Sequence, residues 1–255
     1  MAIDIFSIGK FTLHGYGLMI GLGFLLAVLI GCYRARLKGL SADHLSSMAI
    51  CVLIFGFLGG KLLFLIVEFK DFIANPLGSL GSSGFVVYGG IITGILTIVV
   101  YCKIKKISVA SYADLIVPSI AVNQSLGRVG CFMAGCCYGR ETDSWIGVTF
   151  PEGCLAPAGI KLIPTQLISA VGMMIIAVGL MLIDKRVKYK GVIAGLYLLS
   201  YSIGRFAIEF FRNDYRGTVG ILSTSQFISI FICILAAVVL YFAYRCKVPV
   251  TVKED

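Results

Sequence analysis

A chain of 255 residues with 58% hydrophobic and only 14% charged side chains is too apolar for a soluble domain, where about 25% are charged. The formal net charge of +9 does not point to nucleic acid, because the basic residues sit between apolar runs, as they do in the loops of membrane proteins. The reading is an all-α integral membrane protein with lipid as its surroundings and no nucleic-acid partner.

The first ten residues, MAIDIFSIGK, have no basic leader region and no small-residue cleavage site, so the first span is expected to act as its own signal. A bilayer core takes roughly 20 apolar residues per helix. Seven runs meet that length and predict spans at about 15–33, 47–67, 85–102, 112–134, 164–183, 191–211 and 221–244. The connections at 68–84 and 135–163 are predicted to be irregular loops. No repeat and no low-complexity linker divides the chain, so residues 1–255 are expected to form one polytopic domain.

Lysine and arginine set the orientation. The first span is followed by Arg34, Arg36 and Lys38, and the third by Lys103, Lys105 and Lys106. Lys185, Arg186, Lys188 and Lys190 follow the fifth, and Arg245, Lys247 and Lys253 the seventh. These thirteen of the 22 basic residues share one side, which the positive-inside rule makes cytoplasmic. The N-terminus is then outside and the C-terminus inside.

Charges within spans are costly and mark function. The second, fourth and sixth spans run outward, which puts Lys61, Arg128 and the pair Arg205 and Glu209 in their outer halves. Tyr16 and Tyr88 open the first and third spans at the same boundary, while Asp114 lies near the inner end of the fourth. This shared depth predicts one site near the outer face. Two guanidiniums there suit an anionic group such as a phosphate, which they bind bidentately. Arg205 and Glu209 also have the i, i+4 spacing of an ion pair, and Lys61 has the stem length to snorkel. Gly127 and Gly139 sit where a helix break would bring backbone close to a ligand, although close helix packing needs glycine too.

These residues resemble the bacterial prolipoprotein diacylglyceryl transferase family. The likeness rests on HGYG at 14–17, YGG at 88–90, AD at 113–114 and GRVGCFMAGCCYG at 127–139. It continues through GVTFP at 147–151, PTQL at 164–167 and YSIGRFAIEFFRND at 201–214. The resemblance implies a multi-pass enzyme of the bacterial cell membrane. Such an enzyme moves the diacylglyceryl group of phosphatidylglycerol to the lipobox cysteine thiol of a prolipoprotein and releases glycerol phosphate. It implies that Arg128 binds the headgroup, that Arg205 holds or polarises the phosphate and that Tyr16 lines the headgroup site, with Tyr88 at the position of a catalytic histidine; the shared depth and the glycine pattern add Gly127, Gly139, Glu209 and Lys61 to the substrate-binding set, and no cofactor or metal is expected. A relative with another acceptor or thiol chemistry, and a non-catalytic lipid-binding or transport protein, are the alternative readings.

The chain departs from the family pattern at informative places. Tyr88 stands where the family has a histidine before Gly-Gly, Cys131 where it has asparagine, Cys136 where it has glutamate, and Ile163 where it has histidine. A tyrosine phenol keeps its proton at neutral pH unless strongly perturbed, so it does not simply replace an imidazole base. Cys131, Cys136, Cys137 and Cys154 form a local group of the nine cysteines. Their spacing is not that of a common zinc motif, so packing is the first reading, a disulfide the second and a metal site the last.

Overall fold

Short antiparallel strands and long helices follow the chain order in the computed structural model, which describes residues 4–8, 11–82, 84–213 and 217–250. Strands β1 (Asp4–Ile8) and β2 (Phe11–His14) pair antiparallel and lead into α1 (Gly15–Leu37). Helix α2 (Ala42–Val67) is followed by two single-turn pieces, α3 (Phe69–Ala74) and α4 (Pro76–Gly81), then α5 (Val87–Lys105) and α6 (Val109–Ala134). Strands β3 (Val148–Thr149) and β4 (Lys161–Leu162) pair in the loop before α7 (Thr165–Asp184) and α8 (Val192–Glu209). A last hairpin, β5 (Thr218–Val219) with β6 (Leu222–Ser223), precedes α9 (Thr224–Cys246).

The seven predicted spans coincide with α1, α2, α5, α6, α7, α8 and α9. Six of these, all but α6, are long and apolar enough to cross a membrane. Their flanks leave large apolar side chains exposed, Leu29, Phe57, Ile175 and Phe231 among them, as helices surrounded by lipid do. Helix α6 is 26 residues long but carries its polar groups inward. Ser125 donates to the Ala170 carbonyl of α7 at 2.8 Å, and Gln124 accepts from the Tyr197 hydroxyl of α8 at 2.9 Å.

Boundaries moved where caps decide them. Ser41 caps α2 by accepting the His44 N–H, so that helix starts five residues before the predicted 47. Helix α9 starts at Thr224, three residues after the predicted 221, because Ser223 and Gln226 form a capping box and the residues before them form the hairpin. The connections at 68–84 and 135–163 are more ordered than predicted. Asn75 caps α4 through Gly78 N–H, and the 135–163 loop folds around Phe150, Ala156 and Leu162.

The described residues form two compact units, one within Met1–Gly31 and Ala113–Val252, the other within Cys32–Tyr112. In the first, Ala121 and Val122 of α6, Ala177 and Leu180 of α7, and Ile193 and Tyr197 of α8 make the core. The buried Asp114 carboxylate accepts the Gly191 N–H at 2.6 Å and the Ala194 N–H at 2.8 Å. It thus satisfies two orphan donors at the N-terminus of α8 and complements the helix dipole. In the second unit α2 packs along α5. A Cβ on Gly89 would overlap the Gly59 carbonyl, so the helices meet backbone to backbone.

Candidate functional site

The site grows from the last two turns of α8. Arg205, Glu209 and Arg212 follow one another at four and three residues, so they share a face. Arg205 Nη1 lies 3.0 Å from Glu209 Oε2, and Arg212 Nε lies 3.9 Å from the same oxygen. The three side chains are 11%, 7% and 4% exposed. Arg205 Nη2 also donates to Ser225 Oγ, in the first turn of α9, at 2.6 Å. The ion pair that the i, i+4 spacing allowed is therefore formed, and Glu209 serves two arginines rather than one.

Arg128 is different. It lies in the last two turns of α6, half-buried, and among the described residues no carboxylate or hydrogen-bond acceptor engages it. Its charge is felt at Arg205 and at Tyr16. Tyr16 is the second residue of α1, 43% exposed, and its ring and backbone lie close against Gly130, two residues beyond Arg128. Arg205 and Arg212 share the Glu209 carboxylate, while Arg128 has no carboxylate among the described residues. The Arg128 guanidinium therefore suits an anion.

Among the described residues nothing lies within 4 Å of where a Cβ on Gly127 would stand, so α6 is open there, one residue before Arg128. Gly139 is the opposite. A Cβ there would lie 2.7 Å from the Ile163 carbonyl oxygen and 2.8 Å from that of Phe211. Gly139 N–H donates to Ile163 O at 3.0 Å, and Arg140 N–H to Phe211 O at 2.9 Å. The glycine ties the α6–α7 loop to the end of α8, a close approach that accounts for it by packing.

The cysteines are arranged by the C-terminus of α6. Gly135, at φ 70°, donates its N–H to Phe132 O at 3.2 Å, and Cys136 donates to Cys131 O at 3.1 Å. That pair of bonds is a Schellman cap, in which the residues at the Cys131 and Cys136 positions come into side-chain contact. Cys137 then takes φ 64°, left-handed backbone that a non-glycine residue adopts only when its surroundings impose it. Thr165 Oγ1 donates to Cys137 O at 2.7 Å and Gln166 Nε2 to Cys136 O at 2.8 Å, both from the first turn of α7 and both 1% exposed. The sulfurs of Cys131, Cys136 and Cys137 lie within 4.8 Å of one another. Hydrogen bonds with its two neighbouring thiols, followed by burial, hold the Cys136 thiol well above the ordinary range. No disulfide joins any of the nine cysteines.

Lys61 and Tyr88 belong to the second unit. Lys61 Nζ donates to the carbonyls of Ser79 at 3.0 Å, Ser82 at 2.7 Å and Gly84 at 3.4 Å, and to Ser82 Oγ at 3.2 Å. It sits 5.0 Å from the centre of the Phe64 ring. These contacts account for its ammonium as the anchor of the 79–84 segment. Tyr88 is the second residue of α5 and is 51% exposed. The start of that helix is tied to α2 by Val86 N–H donating to Gly60 O at 3.1 Å.

The sequence profile described as prolipoprotein diacylglyceryl transferase matches residues 4–242. The chain belongs to that family. A phosphatidylglycerol–prolipoprotein diacylglyceryl transferase of Clostridium tetani is 45% identical over 233 residues, 91% of this chain and 93% of its own. Of two such proteins from Clostridium perfringens, the one numbered 2 is 45% identical over 251 residues, 97% of each chain. The one numbered 1 is 30% identical over 243 residues, 92% of this chain and 93% of its own. Family membership and the six apolar helices together make this a multi-pass membrane protein.

Arg212, Thr165 and Gln166 lie within the motifs that carry the resemblance but were given no role there, and Ser225 was not noted at all. Arg212 was legible, since it completes the i, i+4, i+7 row with Arg205 and Glu209. Ser225, Thr165 and Gln166 carried no spacing that ties them to distant partners.

Proposed function

We propose that this chain transfers the diacylglyceryl group of phosphatidylglycerol to the lipobox cysteine thiol of prolipoproteins and releases glycerol phosphate. The relatives' names describe that substrate pair, and the observation that carries it to this chain is Arg128. A half-buried guanidinium with no carboxylate partner among the described residues, next to open space at Gly127, is a receptor for a phosphate.

In this reading Arg128 holds the phosphodiester of the lipid headgroup by its planar fork, and Tyr16 lines the headgroup site. Arg205, fixed by Glu209 and Ser225, faces the oxygen that leaves. The phosphodiester carries one negative charge and glycerol phosphate approaches two as it departs. The guanidiniums of Arg128 and Arg205 therefore favour the leaving group over the bound lipid, which is transition-state rather than ground-state stabilisation. The tight fixation of Arg205 means that little reorganisation is needed as that charge appears.

Seven spans, an outside N-terminus and a cytoplasmic C-terminus in a bacterial cell membrane complete the proposal. The whole chain then works as one enzyme, with Tyr88 contributing a hydroxyl that orients phosphate or glycerol. The test is transfer by the purified full-length protein from phosphatidylglycerol to a synthetic lipobox peptide, read as the mass gain of the peptide. It is paired with rescue of a conditional bacterial strain depleted of its own transferase. A well-expressed, folded protein that neither modifies the peptide nor rescues growth would overturn the reading.

A further inference from the structure

We infer that Cys131, Cys136 and Cys137 form a three-thiolate site for a soft divalent metal ion of the zinc class, whose fourth position takes the acceptor thiol. This deepens the transferase reading above and rests on it for the role of the fourth position.

The grouping is built rather than incidental. A tetrahedral zinc–thiolate site has Zn–S bonds of about 2.3 Å, which places its sulfurs about 3.8 Å apart. The three sulfurs here already lie within 4.8 Å of one another, so rotation of the side chains suffices to close the set. The Schellman cap brings Cys131 and Cys136 together, and ordinary packing would be satisfied by that pair alone. The third thiol is delivered by left-handed backbone at Cys137, whose carbonyl and that of Cys136 are pinned by buried Thr165 and Gln166. Conformational strain held in place by buried hydrogen bonds is spent on presenting that side chain. Cys131 and Cys136 are half-buried, which leaves access for an ion and one further ligand.

Charge and coordination agree. Three thiolates on a divalent cation carry one negative charge, and Arg128 lies three residues before Cys131 on α6, on the same helix face. Three protein ligands with an open fourth position are the pattern of a catalytic zinc site, not of a closed structural one. A thiol that enters that position is deprotonated by coordination, so its proton passes to water. The metal-held sulfur then attacks the glyceryl carbon that bears the phosphate. The C–S bond forms as the C–O bond breaks, glycerol phosphate leaves with the electron pair, and no atom changes oxidation state across the metal. The neutral thioether is a poorer ligand than a thiolate and is released. The thiol is thus activated with no histidine base required of Tyr88.

The test uses the full-length protein in detergent with Co2+ as the probe. One equivalent of Co2+ should give an intense near-ultraviolet thiolate-to-cobalt band that Zn2+ bleaches. Cys131→Ala and Cys136→Ala should each reduce that band at least tenfold, while Cys233→Ala and Cys246→Ala leave it intact. Removing metal with a chelator should slow transfer to a lipobox peptide at least tenfold, and Zn2+ should restore it. Absence of the band in the unmutated protein, or a band indifferent to Cys136→Ala, would overturn the site. So would a Cys131–Cys136 disulfide in protein purified without reductant. Full transfer by metal-stripped enzyme would overturn the acceptor role and leave the transferase reading standing. A cysteine-dependent band with no transfer under any metal loading would overturn both the acceptor role and the transferase reading, and leave the ion site standing.

Discussion

Arg205 and Glu209 face each other at 3.0 Å across one turn of α8, with both side chains almost wholly buried. Glu209 also balances Arg212. Replacing it with glutamine keeps the shape and removes the negative charge that Arg205 and Arg212 share. Breaking a buried pair in this way costs about 3–5 kcal/mol. Glu209→Gln is expected to lower the thermal unfolding midpoint in detergent clearly and to reduce transfer. A variant as stable as the parent would show that the carboxylate contributes nothing to holding Arg205.

Arg128 should behave in the reverse manner. With no carboxylate partner among the described residues, Arg128→Lys is expected to leave the unfolding midpoint unchanged. Transfer should fall by about 10²–10³, the usual loss when one donor to developing charge is removed, because an ammonium lacks the bidentate fork. Equal activity in the lysine variant would make Arg128 a structural cation and remove the headgroup assignment.

Asp114 is read as architecture. Asp114→Asn retains one acceptor oxygen and turns the other contact into a clash of donors at Gly191 or Ala194. A loss of stability of about 1–3 kcal/mol is expected, with transfer per folded molecule unchanged. Chemical denaturation in mixed detergent and active-site titration separate the two. A drop in turnover without a drop in stability would place Asp114 in the catalytic machinery instead.

The orienting role proposed for Tyr88 predicts that Tyr88→Phe raises the transfer barrier by about 0.5–3 kcal/mol, while Tyr88→His is tolerated. Rates of both variants and the parent should be followed across pH. An inactive phenylalanine variant, combined with a parent rate that keeps climbing into the alkaline range, would make the tyrosine the base and displace metal activation of the acceptor.

Topology has its own check. Reporter fusions after Lys38 and after Lys190 are expected to report cytoplasm, since both follow clusters of lysine and arginine. An external signal from either would invert or break the seven-span arrangement.

The helices were legible because the length and apolarity of a run are properties of the chain taken one residue at a time, and a bilayer asks for little else. Arg128, Arg205 and Glu209 stood out for the same reason, as charges where charge is expensive. The i, i+4 pairing was readable from spacing, and so was the start of α9 in the Ser223–Gln226 capping box. Two-residue strands such as β3 and β4 have no period to detect, so the order within the 135–163 loop was not. Nor could spacing tell that Lys61 would be claimed by the carbonyls of Ser79, Ser82 and Gly84, or that Arg128 would meet no acid among the described residues. Those outcomes depend on which distant groups arrive first at a given charge. The three thiols illustrate the limit best. Their spacing matches no metal motif, and they meet only because Gly135 and Cys137 turn left-handed while Thr165 and Gln166, some 30 residues onward, hold the turn in place. Apolar length is local and is written along the chain, whereas the meeting of polar groups is decided by backbone turns and helix contacts that exist only once the chain has folded.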